Sequence, residues 1–407
     1  MLSTVVIEYT KCEDYPVTKE IFNNYYSLEN GGNIYKISED LKIQERKVMD
    51  FSASVNPLGV SKKVKAEIRK HLKYLHNYPD PEAKRLRKRL AQYHTINPET
   101  ILCGNGSTEL IYLLARALKP QKVLMPAPTF SEYERAVLIN QKSEGISQDT
   151  KAELSTQIAY MMLEEDNGFE INPDRFIDAI RGNENSVHGK KTGLSGNPCD
   201  IAFLCNPNNP TGRLLRRDDV RRIGDAARES GCYLVVDEAF MDFCADESVI
   251  NDTGINPYLI VLRSMAGFYA LAGLRLGYGV FPEQLISRLK ENKEPWTVNN
   301  LSQRAALVAL KDKFYRNETF RLIKEEKLFF EKSFKNIGIK YFDSDANFYL
   351  LMIKNADEIY EKLKRKAILV RDCRNFKGLD NRYLRVAVKS HRENTILIKE
   401  LASILQK

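Results

Sequence analysis

Apolar residues are grouped along this chain in short runs that alternate with amphipathic stretches. Between about residues 100 and 282 the runs are rich in Val, Ile and Leu, and segments of helical periodicity separate them. Such runs predict buried strands, and the helices between them predict a largely parallel sheet covered on both faces. The predicted strands lie at 123–125, 158–163, 201–204, 233–236, 259–262 and 276–280.

After Pro295 the pattern changes to two long helical stretches followed by strands that alternate with helices. The predicted helices are 298–311, 314–334, 356–365 and 391–406, and the predicted strands are 339–342, 348–353, 368–370 and 383–388. This order predicts a smaller α+β unit, completed by residues from the N-terminal 75. We therefore predict an α/β protein divided into a poorly ordered extension (1–28), the first part of a small domain (29–77), a large domain (78–295) and the C-terminal part of the small domain (296–407).

Composition narrows the class of protein. The chain has 407 residues, of which 43% are hydrophobic and 29% are charged, and these are globular values. No apolar run approaches the roughly 20 residues of a membrane span, and the N-terminus lacks a basic region followed by a long apolar one. We therefore expect a cytoplasmic protein without a membrane partner.

Charge and cysteine usage exclude two further classes of function. The net charge of +8 is small for this length and is spread over helices of mixed sign, so no nucleic-acid partner is predicted, although an anionic substrate would be attracted. The seven cysteines are widely spread without Cys-x-x-Cys spacing. We predict buried thiols and no metal site.

Two stretches at the predicted large domain have residues suited to an aromatic phosphate ligand. Residues 104–109 read Gly-Asn-Gly-Ser-Thr-Glu before a helical stretch, and a glycine-rich turn at a helix N-terminus directs N–H groups at an anion. Gly106, Ser107 and Thr108 are the candidate phosphate ligands, although Ser107 has the alternative of a simple helix cap. Phe130 is a candidate for stacking on a ring, with core packing as the alternative.

Two polar residues follow predicted strands directly. Asn209 lies in the run Asn-Pro-Asn-Asn-Pro-Thr-Gly after strand 201–204, at the edge where open α/β sheets bind ligands. Asp237 ends strand 233–236, and a carboxylate there needs a partner. A pyridinium nitrogen is such a partner.

The loop at 263–278 connects the last two predicted strands of the large domain. Ser264, Phe268, Ala270, Gly273, Arg275 and Gly277 fit the pattern Ser-x-x-Lys-Phe-x-Ala-x-x-Gly-x-Arg-x-Gly. This pattern closely resembles the cofactor loop of class I/II, fold type I pyridoxal-phosphate enzymes. In that family the lysine forms the Schiff base, and the arginine eight residues later binds the cofactor phosphate. In this chain the lysine position is Gly267.

The resemblance implies pyridoxal 5'-phosphate as the cofactor, bound non-covalently because the lysine is missing. It implies that Asp237 keeps the ring nitrogen protonated and that Asn209 contacts the phenolate oxygen. The phosphate would be held by Arg275, Ser264 and the 106–108 turn. The family also inserts the residue equivalent to Tyr78 into the site of a second subunit, which implies a homodimer.

Within this family the chain most resembles the threonine-phosphate decarboxylases of cobalamin biosynthesis, which are homologous to histidinol-phosphate aminotransferases. The matching signature is Gly-Gly-Asn-Ile at 31–34 with Asp-Phe-Ser-Ala-Ser-Val-Asn-Pro-Leu-Gly at 50–59. The resemblance assigns Asn56 to substrate binding, Arg385 to the substrate carboxylate and Arg371 to the substrate phosphate. Asn30 replaces a histidine near that phosphate, so phosphothreonine and phosphoserine both stay open as substrates.

Gly267 leaves three interpretations of the function. The chain is a deliberately inactivated variant of a decarboxylase of an O-phosphorylated 3-hydroxy amino acid, a natural homologue that binds cofactor or phosphoamino acid without turnover, or a similarly disabled relative of the histidinol-phosphate-type aminotransferases. Without the lysine amine no group reprotonates Cα, and the loss of proton transfer alone is expected to lower the rate by about 10² to 10⁴.

Overall fold

The computed structural model describes residues 32–141, 156–182 and 198–406. The predicted extension at 1–28 and the candidate residue Asn30 lie outside these ranges. The strands of the described residues, numbered β1 to β13 in chain order, are Met49–Asp50, Ile101–Gly104, Lys122–Ala127, Gln157–Met162, Ile201–Cys205, Tyr233–Asp237, Leu259–Ser264, Gly277–Val280, Lys340–Tyr341, Phe348–Met352, Ile368–Leu369, Arg371–Asp372 and Tyr383–Ala387.

The α-helices of the same residues are numbered α1 to α12. They are Ile34–Leu41, Lys62–His71, Lys84–His94, Ser107–Leu118, Glu132–Gln141, Pro173–Arg181, Arg217–Glu229, Glu283–Glu291, Asn300–Ala309, Lys313–Asn336, Ala356–Arg365 and His391–Leu405. Several begin at side-chain caps: Ser61 caps α2, Asn172 caps α6, and Ser390 forms a capping box with Glu393 at α12. These caps satisfy backbone N–H groups that a helix leaves free at its start.

Seven strands form the larger sheet, in the order β2-β8-β7-β6-β5-β3-β4. The pairs from β7 to β4 are parallel, whereas β8 is antiparallel to both of its neighbours. The predicted mostly parallel α/β fold is therefore confirmed. The reversal at β8 has a simple cause: the short link between β7 and β8 contains no crossover helix, and a parallel connection needs one.

Both faces of this sheet are buried. Along β5, Ile201, Phe203 and Cys205 pack with α4 and α5 on one face, while Ala202 and Leu204 pack into the core on the other. Double-sided burial explains why the sequence shows continuous apolar runs instead of alternation. Because both faces are apolar, polar side chains are placed at the carboxyl ends of the strands.

A second, smaller sheet has four antiparallel strands in the order β12-β13-β10-β9. The predicted strand at 368–370 is two strands, since β11 pairs with β1 while β12 pairs with β13. Residues before 75 thus contribute to this part of the fold. The predicted domain boundaries stay a prediction.

Within residues 32–141, 156–182 and 198–406, no helix has the length and apolarity to cross a membrane. The same described part of the chain contains no group of three or more His, Cys, Asp or Glu side chains placed to hold a metal ion.

Candidate active site

The glycine-rich turn and the arginine of the 263–278 loop meet at the N-terminus of α4. Gly106 precedes this helix with a φ of 81°. A Cβ placed on Gly106 would lie 2.6 Å from Nη2 of Arg275, so the guanidinium packs directly on the turn. Helix N–H groups and a guanidinium together form a cradle for an anion such as phosphate.

The other candidate phosphate ligands lie beside this turn. A Cβ on Gly277 would lie 2.2 Å from the backbone nitrogen of Ser107, so only glycine permits this approach. Ser264 is the Cα partner of Gly277 across the β7–β8 pair, which brings it to the same edge. Thr108 is the second residue of α4 and is half-buried. All five predicted phosphate contacts are thus near one another.

Asp237 ends β6 and is buried. Its Oδ2 accepts a hydrogen bond of 2.8 Å from the Tyr133 hydroxyl, and its Oδ1 accepts one of 3.1 Å from the Ala239 backbone. Burial raises the pKa of Asp237 to about 6, although the Tyr133 hydrogen bond lowers it. Among the described residues no cation forms an ion pair with this carboxylate, which leaves it suited to a cationic ligand.

Asn209 and Arg385 are in direct contact. Nη1 of Arg385 donates to Oδ1 of Asn209, and Nη2 donates to the Ser52 carbonyl at 2.7 Å. Burial lowers the pKa of Arg385 to about 10, so the guanidinium is still charged at neutral pH. The predicted carboxylate ligand therefore lies next to the predicted contact of the cofactor ring.

Arg371 and Arg385 are cross-strand neighbours. They are Cα partners in the β12–β13 pair, and both side chains are buried. Nη2 of Arg371 donates to Oδ1 of Asn375 at 2.9 Å, and its guanidinium lies 5.1 Å from the Phe376 ring centroid. Like charges directly opposite on a sheet are destabilising, and Arg371 lowers the pKa of Arg385. A ligand with two anionic groups would relieve that repulsion.

Gly267 faces the segment at 52–56. A Cβ on Gly267 would lie 3.2 Å from the Ser54 carbonyl and 3.8 Å from the Phe240 ring. The Gly267 carbonyl accepts a hydrogen bond of 3.0 Å from the Asn56 backbone. A Cβ at 267 therefore requires the Ser54 carbonyl to shift by about a few tenths of an ångström.

The Asn56 side chain holds this loop in place. Its Nδ2 donates to the Phe268 carbonyl at 2.8 Å and to Thr319 Oγ1 at 2.7 Å, while its Oδ1 accepts from the Leu58 backbone at 3.0 Å. The amide that the sequence assigned to the substrate is thus occupied by the protein. These bonds position the 267–268 backbone, because a loop between strands needs its carbonyl groups bonded, and the contact of Asn56 with the substrate stays a prediction.

Phe130 and Tyr78 differ sharply in environment. The half-buried Phe130 ring packs edge-on against Tyr133, with centroids 5.6 Å apart, and lines a cavity of about 480 Å³. Tyr78 is 82% exposed, and its ring contacts the Trp296 ring with the two centroids 5.3 Å apart. In one copy of the chain Tyr78 therefore presents its ring to solvent.

A second cavity, also of about 480 Å³, lies beside Arg371. The residues that line it include Gly32, Asn33, Lys36, Ser52 and Arg371. Arg374 and Asn375 line both cavities, so the two adjoin. Asp237, Asn209 and Gly267 line neither of them.

A buried ion cluster lies behind the site residues. Arg263 donates to Glu238 at 2.8 Å and to Asp242 at 2.7 Å, and all three are buried. Burial raises the pKa of both carboxyl groups, and Arg263 opposes the shift. Since Glu238 follows Asp237 and Arg263 precedes Ser264, this cluster fixes the ends of two strands that carry site residues.

Sequence reasoning missed two residues of the site. Tyr133 binds Asp237, and Ser52 gives its carbonyl to Arg385. For Tyr133 the available signal was its spacing of three residues from Phe130, since residues three apart at the start of a helix lie on the same face. The second contact uses a backbone atom, which the residue type does not reveal.

The chain is similar in sequence to a known family of proteins. The sequence model of the family "Aminotransferase class I and II" matches residues 46–401. This chain belongs to that family. A threonine-phosphate decarboxylase from Salmonella typhimurium is 33% identical over 384 residues, which cover 93% of this chain and 97% of that protein.

An aminotransferase and a second decarboxylase are also similar to this chain. A histidinol-phosphate aminotransferase from Caldanaerobacter subterraneus is 34% identical over 365 residues, covering 87% of this chain and 92% of that protein. The crystal structure of L-threonine-O-3-phosphate decarboxylase from Porphyromonas gingivalis superimposes with a TM-score of 0.72 at 26% identity, covering 88% of this chain and 100% of that chain. The fold type I architecture is thereby shown.

Proposed function

We propose that this chain has the site of a pyridoxal-phosphate-dependent decarboxylase of an O-phosphorylated 3-hydroxy amino acid, phosphothreonine or phosphoserine. The observation that carries the proposal is the juxtaposition of Arg371 and Arg385 on one face of the β12–β13 pair. Two buried guanidinium groups suit a substrate with a carboxylate and a phosphate. The product would be a phosphoamine of the kind used in cobalamin biosynthesis.

The residues present fit the cofactor. Arg275 packs so closely on Gly106 that a methyl group on residue 106 would not fit. The anion cradle that the two residues form suits the cofactor phosphate. The buried Asp237, with no cation bonded to it among the described residues, suits a protonated ring nitrogen. When bound, the cofactor supplies an electron sink for a carbanion at Cα of the substrate.

The chain's own residues would select which bond at Cα breaks. Arg385, held by Asn209 and the Ser52 carbonyl, would bind the substrate carboxylate, and Arg371 would bind the phosphate. Two fixed anchors orient the substrate, and orientation determines which substituent of Cα stands perpendicular to the ring. Burial of both arginines keeps water away from these contacts and strengthens them.

Because residue 267 is glycine and not lysine, we expect this chain to lose activity. No amine at this position can take or return the proton at Cα, so the chain as written should be inactive or severely impaired. Ser54 Oγ and Asn347 Oδ1, near Gly267, are buried without a hydrogen-bond partner among the described residues. These atoms would not replace a base, because neither is basic at neutral pH.

Restoring the amine tests the reaction class. Gly267→Lys, alone and with Ala266→Thr, should release carbon dioxide from phosphothreonine or phosphoserine without a keto acid. Gly267→Met is the matched control, since it adds similar bulk without an amine, and it should stay inactive.

Two other outcomes would overturn the proposal. Transfer of amino groups from histidinol phosphate to 2-oxoglutarate, without carbon dioxide release from either phosphoamino acid, would establish the aminotransferase alternative. A lysine variant that binds the cofactor covalently and performs neither reaction would indicate a non-catalytic binding role for the natural chain.

A further inference from the structure

Tyr133 is one of the most enclosed aromatic residues beside the candidate site. It lies in α5, its side chain is fully buried, and its ring stacks on Phe203 with centroids 4.9 Å apart and planes 8° from parallel. The Phe130 ring also contacts the Tyr133 ring, with centroids 5.6 Å apart and planes at 83°. These contacts fix the ring, so the position of its hydroxyl is set before any ligand binds.

The hydroxyl of Tyr133 is bonded to Asp237. It donates to Oδ2 at 2.8 Å, while the Ala239 backbone donates to Oδ1 at 3.1 Å. Each carboxylate oxygen therefore has one donor within the protein. The two donors fix the plane of the carboxylate and leave lone pairs for a ligand.

The titratable groups around Asp237 are few among the described residues. Glu238 follows it and is paired with Arg263, and Cys205 is its Cα partner on β5. The negative charge of Glu238 raises the pKa of Asp237, whereas the Tyr133 hydrogen bond lowers it. Burial raises the pKa of Tyr133 well above its usual range, so the hydroxyl keeps its proton and donates at any neutral pH.

We propose that Tyr133 is a positioning residue that holds Asp237 ionised and oriented toward the ring nitrogen of the cofactor. The proposal rests on the proposed function, since it assigns the partner of Asp237. A hydrogen bond to a buried anion stabilises the charged form more than the neutral one. Tyr133 also packs against Phe130. It therefore connects Asp237, the proposed partner of the cofactor's ring nitrogen, with Phe130, the residue predicted to stack on the cofactor ring.

The test is Tyr133→Phe, which removes the hydroxyl and keeps the ring. We expect the pKa of Asp237 in cofactor-free protein, measured by carbon-detected NMR, to rise by about one unit. We expect pyridoxal phosphate to bind about tenfold more weakly. The nitrogen-15 shift of the bound, labelled cofactor should move toward that of an unprotonated ring.

Tyr112→Phe is the matched control. The Tyr112 hydroxyl also donates to a carboxylate, Glu132 Oε2 at 2.7 Å, but it does not contact Asp237. This variant should leave the pKa of Asp237, the affinity and the nitrogen shift unchanged. If Tyr133→Phe also leaves all three unchanged while the natural chain binds the cofactor, the tyrosine only packs and the proposal is wrong.

A second measurement covers the case in which Tyr133→Phe does not fold. Replacing Tyr133 by a fluorinated tyrosine keeps its shape and makes the hydroxyl a stronger donor, so the pKa of Asp237 should fall. An unchanged value would contradict the proposal. Failure of the natural chain to bind pyridoxal phosphate would instead overturn the proposed function, and the two failures are thus distinguished.

Discussion

At the scale of single residues, the site is defined by buried charged side chains. Asp237 receives two hydrogen bonds but no ion pair among the described residues, and Arg385 lies opposite a second arginine. Buried charges of this kind are unfavourable to folding unless a ligand completes them. Their presence is a physical reason to expect binding of a cofactor and an anionic substrate.

Replacing the buried acid should separate stability from binding. The pKa of Asp237 is raised from 3.8 to about 6, so the stability that this group contributes below pH 3.8 is lost as the pH rises through 6. Asp237→Asn should therefore stabilise cofactor-free protein at pH 7 by about 2 kcal/mol in urea unfolding, with a smaller gain at pH 4.5. The same variant should bind pyridoxal phosphate about 30-fold or more weakly.

The control for that variant is Asp219→Asn, which alters an exposed ion pair with Arg222. It should change neither quantity beyond experimental error. Equal affinity for the cofactor in Asp237→Asn and the natural chain would remove Asp237 from the proposed site.

The sequence predicted some of these residues better than others. Asp237 and Asn209 follow apolar strands, and a polar residue in that place is conspicuous. The contact between Tyr133 and Asp237 joins residues 104 apart in sequence, and it depends on how α5 packs on the sheet. Asn56 was assigned to the substrate by the family resemblance, and its side-chain bonds to Phe268 and Thr319 join residues 212 and 263 positions apart, which local sequence does not reveal.

At the scale of elements, the strands with long apolar runs were predicted and β2 was not. Ile101–Gly104 is short and is followed by a glycine-rich turn, so its apolar pattern was too brief to read as a strand. The antiparallel direction of β8 also depends on the connection before it. Sheet order is determined by packing between distant segments, which local patterns do not specify.

The close approach of α4 to the 263–278 loop gives an element-scale prediction. Gly106→Ala places a methyl group 2.6 Å from Arg275 Nη2 and should displace the guanidinium. We expect cofactor affinity, measured by titration, to fall by about tenfold or more.

Gly168→Ala is the matched control for that variant. Both glycines have positive φ, but a Cβ on Gly168 meets no atom within 4 Å. The control should therefore lose about 1 kcal/mol of stability from backbone strain and retain its affinity. Equal affinity in the two variants would show that Arg275 and the turn do not hold the phosphate.

The cluster that joins β6 to β7 gives a prediction about stability. Arg263→Met leaves Glu238 and Asp242 buried without their cation and should destabilise the protein by about 3–5 kcal/mol in urea unfolding. Arg222→Met breaks only exposed pairs and should cost about 1 kcal/mol or less. Similar losses in both variants would contradict the structural role given to Arg263.

At the scale of the whole molecule, we propose a homodimer in which Tyr78 of each copy reaches the other copy's site. The exposed Tyr78 ring and its contact with Trp296 support this proposal, because the two rings form an aromatic surface available to a second copy of the chain. Light scattering at micromolar concentration should give twice the chain mass of 46.8 kDa. A monomeric mass would refute it.

The central claim is that this site binds pyridoxal phosphate without a covalent bond to the chain. The most direct measurement is the mass of the chain after saturation with the cofactor and reduction with borohydride, together with a titration that shows binding. We predict that the natural chain binds the cofactor and keeps its mass, whereas Gly267→Lys gains one reduced cofactor on the peptide containing residue 267. A mass increase of the natural chain, or no binding at all, would contradict the account.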